Sequence, residues 1–136
     1  VGTEHDIKVR LPASWARRYL QQGGGGFDGS VPSDQALATG APAVALKASA
    51  VVLANNGGHR DPTGAALLGN EGVKQRYAHT AIDVAARFGK SLSEQYYGGT
   101  TRYSYFNGCS NGGRGALNAA AKYGGEFNGV IAGAPY

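Results

Sequence analysis

From His5 to Leu11 apolar and polar residues alternate, with Ile7, Val9 and Leu11 falling on one side, until Pro12 interrupts the run. A period of two followed by proline predicts a half-buried or edge strand. A second strand is expected over Arg17 to Gln22, ended by Gly23-Gly24-Gly25-Gly26, and Phe27-Asp28-Gly29-Ser30 extends the loop. In Ser49 to Asn55 the alternation gives way to a continuous run, Ala50-Val51-Val52-Leu53-Ala54, suited to a strand buried on both faces of a parallel sheet. From Glu71 to Tyr97 the spacing lengthens to three and four: Val73, Tyr77, Ala81, Val84, Phe88 and Leu92 make one helical face, with Gly89 the point at which the helix could break. The aromatic stretch Arg102 to Cys109 reads as a strand and the alanine-rich Asn111 to Tyr123 as a helix stopped by Gly124-Gly125. Val130-Ile131-Ala132 then begins another buried strand. The order strand, helix, strand, helix, strand predicts an α/β fold, a mostly parallel sheet with helices laid on its faces by right-handed crossovers.

The segment between the aromatic strand and the helix after it is Gly108-Cys109-Ser110-Asn111-Gly112. A serine in a Gly-x-Ser-x-Gly frame, set between a strand and a helix, is the pattern of a nucleophile elbow, a strained turn whose flanking glycines leave room for backbone that a β-carbon would block. In that role Ser110 attacks an ester carbonyl, and the helix N-terminus at Asn111 offers a backbone N–H to the developing oxyanion. A second donor in this design comes from a loop after an earlier strand. The run Gly23 to Gly26 lies in the right place, with Gly24 and Gly25 as the candidates; a flexible surface loop is its alternative reading.

Composition narrows the classes. At 136 residues the chain is sized for one domain or part of one, and it has no methionine even at position 1, as expected of a processed product or an excerpt. Its 13 Lys and Arg against 9 Asp and Glu, net +4, are spread from Lys8 to Lys122, and Arg17-Arg18 is the only tight basic pair. No nucleic-acid surface is expected, since that needs clustered cations with stacking aromatics. No apolar run approaches the roughly 20 residues that span a bilayer, so no membrane partner is expected. The spacing Gly24-x-Gly26-x-x-Gly29 fits a dinucleotide fingerprint, but Ser30-Val31-Pro32 does not open the helix that phosphate binding requires. No P-loop occurs. With three dispersed histidines and one cysteine, no metal site can be assembled from spacing.

Several longer stretches carry a resemblance. Tyr105-Phe106-Asn107-Gly108-Cys109-Ser110-Asn111-Gly112-Gly113-Arg114, then Phe127 to Pro135, then Gln22 to Gly29, and also Gly58-His59-Arg60, closely resemble the tannase and feruloyl esterase family. The resemblance implies an α/β hydrolase, secreted or periplasmic, that cleaves esters of aromatic acids such as feruloyl or galloyl esters; enzymes acting on a terephthalate monoester belong to the same family. It implies Ser110 as the nucleophile, and an oxyanion hole from the amides of Asn111 and of one residue in Gly23 to Gly26. It further implies a disulfide from Cys109 to a cysteine following the catalytic histidine, and a lid domain with a calcium site outside this chain. Residues 1–136 would thus be the N-terminal portion of the catalytic domain, without the lid and the C-terminal triad segment.

Chain order limits what these residues can do by themselves. The triad of α/β hydrolases runs Ser, then Asp or Glu, then His, yet after Ser110 there is no histidine, no aspartate and only Glu126 as an acid. His5, His59 and His79 all precede Ser110. His59, following a buried strand, is best placed to line a site, with a structural hydrogen-bonding role as the favoured alternative, and it is not assigned as the base. The expected partners are an aromatic ester substrate and a segment carrying Asp, His and Cys. Arg114, in the first turn after the elbow, is expected to anchor neighbouring loops by ion pairing. The competing reading is a non-catalytic binding or assembly module that retains the elbow fold.

Overall fold

The apolar runs become five strands of one sheet in the computed structural model, which describes residues 4–136. These are β1 (Ile7–Arg10), β2 (Arg18–Gln22), β3 (Ala50–Asn55), β4 (Tyr103–Cys109) and β5 (Gly129–Gly133). Their spatial order is β1-β3-β2-β4-β5. β2, β3, β4 and β5 run parallel, and β1 lies antiparallel at the edge with Ile7 opposite Asn55 and Arg10 opposite Val52. Every residue of β3 is buried, as its unbroken apolar run requires of a strand covered on both faces.

Parallel pairing sends alternate side chains to two cores. Tyr19, Val51, Leu53 and Phe106 face α3 (Ala81–Tyr97) and α4 (Asn111–Lys122), whose Ile82, Ala85, Ala86, Ala116 and Ala119 complete the larger core. Leu20, Val52 and Ala54 face α1 (Gly40–Lys47) with Leu37. Helix α1 has no counterpart in the sequence reading. Its segment Gly40-Ala41-Pro42 looks like a breaker, but proline in a first turn lacks only an N–H that would be unpaired there anyway.

The long helix departs from its expected face. Val84 and Phe88 are 50% and 48% exposed, whereas Ile82, Ala85, Ala86, Gly89 and Ser93 are buried. The cause is local: between α2 (Glu71–Gln75) and α3 the chain makes a π turn over Arg76–Thr80. A π turn admits one extra residue, so the buried stripe that passes through Val73 and Ala81 continues from Ile82 one position later than a uniform helix would place it. Gly89 does not break α3. It lets the helix lie against the sheet, since a Cβ there would sit 2.6 Å from Leu53 Cδ1 and from Tyr19 Cε2. The helix ends at Gly98, whose φ of 71° supplies the left-handed cap.

β5 also differs from expectation. Val130 packs on the larger core, but Ile131 is 66% exposed, because β5 is an edge strand whose α1-side face no helix covers among the described residues.

Candidate active site

Parallel strands bring their carboxyl ends to one edge of the sheet. β2 leads through α1 to β3 on one side, and β4 leads through α4 to β5 on the other, so the boundary between β2 and β4 is a topological switch point, where open α/β sheets bind ligands. The two chains leaving it are the glycine loop after Gln22 and the turn at Ser110. They stay joined past the strand ends: Gly23 N–H donates to the Asn107 carbonyl at 2.8 Å, and Asn107 Nδ2 donates to Gln22 Oε1 at 2.8 Å.

Ser110 stands between β4 and α4 with φ 57° and ψ −123°, an unfavourable conformation for a residue with a β-carbon, and it is exposed. Such strain persists only where the surroundings over-determine it. Here they do. Ser110 N–H donates to the Gly133 carbonyl at 3.1 Å, and the Ser110 carbonyl accepts from Arg114 N–H at 3.0 Å and from Tyr136 N–H at 3.2 Å. The frame glycines are required for space: a Cβ at Gly108 would lie 2.0 Å from the Gly112 carbonyl oxygen, and one at Gly112 would lie 2.6 Å from the Gly24 oxygen. Gly113 is similarly confined, 2.4 Å from the Gly133 oxygen.

The glycine run divides into two parts. Gly23 and Gly24 cross the start of α4 at close range, with a Cβ at Gly23 placed 2.8 Å from Gly112 Cα. Gly25 and Gly26 form an exposed turn with open space at their Cβ positions among the described residues, closed by Asp28 N–H donating to the Gly25 carbonyl at 3.0 Å. Beside Ser110 lies a cleft of about 210 Å³ lined by Gly26, Phe27, Asn111 and Tyr136. Phe27 and Tyr136 meet edge to face across it, their ring centroids 6.3 Å apart.

Beneath the elbow, Asn111 is buried and fully engaged. Its Oδ1 accepts from Tyr77 OH at 2.6 Å and from Arg114 Nε at 2.7 Å, and its Nδ2 donates to Asp28 Oδ1. Burial raises the Asp28 carboxyl to about 6, against the hydrogen bond from Asn111 and the nearby Arg114 charge, which both favour the anion. Arg114 does anchor its neighbourhood, but not by the expected ion pair. Its guanidinium lies 4.1 Å from the centroid of the Tyr77 ring, and its Nε donates to Asn111 Oδ1.

His59 is wholly buried; its Nδ1 accepts from Asp61 N–H at 3.3 Å, and its ring meets Tyr77 edge-on at 5.4 Å. Burial lowers its pKa, so the neutral imidazole is favoured. Through Tyr77 it is linked to Asn111, the residue after Ser110. His5 precedes β1 and His79 lies in the π turn; among the described residues none of the three histidines hydrogen-bonds Ser110. Cys109 is free and exposed. Among the described residues no three His, Cys, Asp or Glu side chains cluster as metal ligands, and no helix is long and apolar enough to cross a membrane.

Sequence reasoning did not single out Asp28, Tyr77, Phe27 or Tyr136 for roles at the site. Asp28 carried a signal, a lone acid inside a glycine-rich loop, held here at φ 53°. Tyr77 was hidden by its fit to the apolar stripe of a helix.

The family model for tannase and feruloyl esterase matches residues 3–136. A probable feruloyl esterase B-2 of Aspergillus flavus is 38% identical over 128 residues, covering 94% of this chain and 23% of the relative. Among solved structures, feruloyl esterase B from Aspergillus oryzae superimposes with a TM-score of 0.83 at 30% identity, covering 96% of this chain and 25% of that one. The tannin acyl hydrolase from Aspergillus niger gives a TM-score of 0.79 at 28% identity over 98% of this chain and 26% of that one. The chain spans about a quarter of the length of these relatives. On sequence and fold together, this chain belongs to the tannase and feruloyl esterase family.

Proposed function

We propose that this chain is the nucleophile-bearing portion of a serine carboxylesterase acting on esters of aromatic, phenolic acids, of the feruloyl or galloyl kind. The observation that carries the reading is Ser110 itself, exposed at the strand-to-helix turn in a strained φ 57°, ψ −123° conformation beside a cleft walled by Phe27 and Tyr136. Ser110 Oγ attacks the ester carbonyl while its proton passes to a histidine that an aspartate orients, both supplied from outside residues 1–136. The carbonyl oxygen becomes an oxyanion held by the Asn111 N–H and by an amide of the glycine loop, Gly24 or Gly25. Collapse expels the alcohol with the proton from histidine, and water, activated by the same histidine, releases the acid from the Ser110 acyl-enzyme.

The complete enzyme, this chain together with the segment that supplies Asp and His, is proposed to be secreted or periplasmic, with Cys109 disulfide-bonded to a cysteine of that segment. Non-reducing mass spectrometry tests the bond, and a free Cys109 thiol in active enzyme rules it out. Ser110→Ala in the complete enzyme should abolish hydrolysis of a chromogenic aromatic ester; retained activity would refute the nucleophile assignment. The absence of any histidine bonded to Ser110 among the described residues favours a second reading, a binding or assembly module that keeps the elbow. Failure of a fluorophosphonate to label Ser110, with the Asp and His segment present, would select it.

A further inference from the structure

We propose that Asp28 is a positioning residue for the oxyanion hole: by accepting from the Asn111 side chain it ties the glycine loop to the first residue of α4, and so fixes the spacing of the two backbone amides. The inference rests on the esterase reading above. It comes from one contact between residues 83 positions apart, Asn111 Nδ2 to Asp28 Oδ1, which joins the two segments that would each contribute a donor.

Three observations single out this contact. First, the orientation of the Asn111 amide is dictated by its partners: Arg114 can only donate, so Oδ1 must face it, and the ionised carboxylate of Asp28 can only accept, so Nδ2 must face Asp28. With Tyr77 OH as a third partner, the residue carrying one proposed donor is held from its own helix, the glycine loop and the π turn at once. Second, the backbone around Asp28 is shaped for its carboxyl. Asp28 itself sits at φ 53°, and Cβ atoms at Gly24 and Gly57 would lie 3.0 Å from its Oδ1 and 2.8 Å from its Oδ2. Third, Asp28 N–H closes the turn on the Gly25 carbonyl, so the side chain that grips Asn111 and the backbone that presents Gly24 and Gly25 move as one unit. A part-buried carboxylate near a developing oxyanion would oppose it, and the nearby positive charge of Arg114, whose guanidinium lies over the Tyr77 ring, offsets that charge.

Oxyanion donors act only if they are in place before charge develops, and losing one costs on the order of 100-fold or more in turnover. Misplacing one should cost somewhat less. The test uses the complete enzyme with a chromogenic aromatic ester. Asp28→Ala and Asn111→Ala should each lower kcat by about 10- to 100-fold with KM changed less than about threefold, because what is lost acts in the transition state. Asn111→Ala is informative because its backbone N–H remains. The double variant should be no slower than Asn111→Ala alone, since Asn111→Ala already removes the contact through which Asp28 acts. Asp28→Asn keeps a carbonyl acceptor and should hold kcat within about threefold of the parent, a rescue that packing alone would not demand.

Parental kcat in folded Asp28→Ala overturns the proposal, as do losses that multiply in the double variant. Where Asp28→Ala does not fold, parental kcat in Asn111→Ala overturns it equally. Ser110→Ala separates the two levels: activity retained there sinks the esterase reading, whereas activity lost there with parental kcat in Asp28→Ala sinks this inference alone.

Discussion

Gly108 and Gly25 belong to two glycine-rich segments that converge on one site, yet they are glycines for different reasons. A Cβ at Gly108 would fall 2.0 Å from the Gly112 carbonyl oxygen, whereas at Gly25 there is open space among the described residues and no positive φ calls for glycine. The elbow is a backbone crossing in which β4, α4 and the first half of the glycine loop touch without side chains between them. The second half of the loop is an open turn. Glycine content thus marks two physical situations, and only the crossing explains why the frame residues must be small.

Three substitutions probe that contrast, beginning with the largest effect. Gly108→Ala places a methyl inside the crossing, and since neither partner is a flexible side chain, relief requires moving the start of α4. The expected cost is about 3 kcal/mol or more, beyond ordinary overpacking. Urea unfolding of the complete enzyme measures it, and a loss under about 1 kcal/mol would show that the crossing can relax.

A second probe addresses the part-buried carboxyl beside the crossing, which Gly24 and Gly57 approach. Asp28 has a folded-state pKa raised from 3.8 to about 6, so between those values the folded protein binds more protons than the unfolded chain. Stability through this group is therefore greatest at low pH and falls as pH rises from 4 to 7, by about 2 to 3 kcal/mol. Asp28→Asn should remove that slope, so the stability gap between variant and parent should shift in the variant's favour as pH rises. Parallel pH profiles for the two proteins would show that Asp28 titrates as an exposed acid.

The smallest effect is expected at Gly25→Ala. With open space and an ordinary φ, stability should change by less than about 0.5 kcal/mol, or rise slightly through a stiffer unfolded chain. A loss above about 1 kcal/mol would mean that the turn packs against other groups.

Much of this was legible in the chain. The run through β3, the alternation of β1, the aromatic strand and the helix after Ser110 follow from local patterns that depend on neighbours in sequence. The face of α3 was misread from Val84 onward because the π turn at Arg76–Thr80 resets the helical phase, and no local pattern announces an inserted residue. Helix α1 was missed because Gly40 and Pro42 conceal a first turn that tolerates both. Arg114 was legible as an anchor but not as to what it anchors, since Tyr77, the ring it lies over, is 37 positions away in another element.

The elbow, its glycine frame and the parallel α/β class can be read from residue order, because each depends on steric and hydrophobic rules that act over a few residues. Tertiary structure alone decided that Asp28, Tyr77 and Arg114 meet on Asn111. Asp28 and Tyr77 lie 83 and 34 positions from Asn111 and reach it only because the order β3-β2-β4 brings the loops after those strands to one edge of the sheet. Which side chains share a buried polar site is set by strand order and helix phase, and neither is written in the spacing of the residues that meet there.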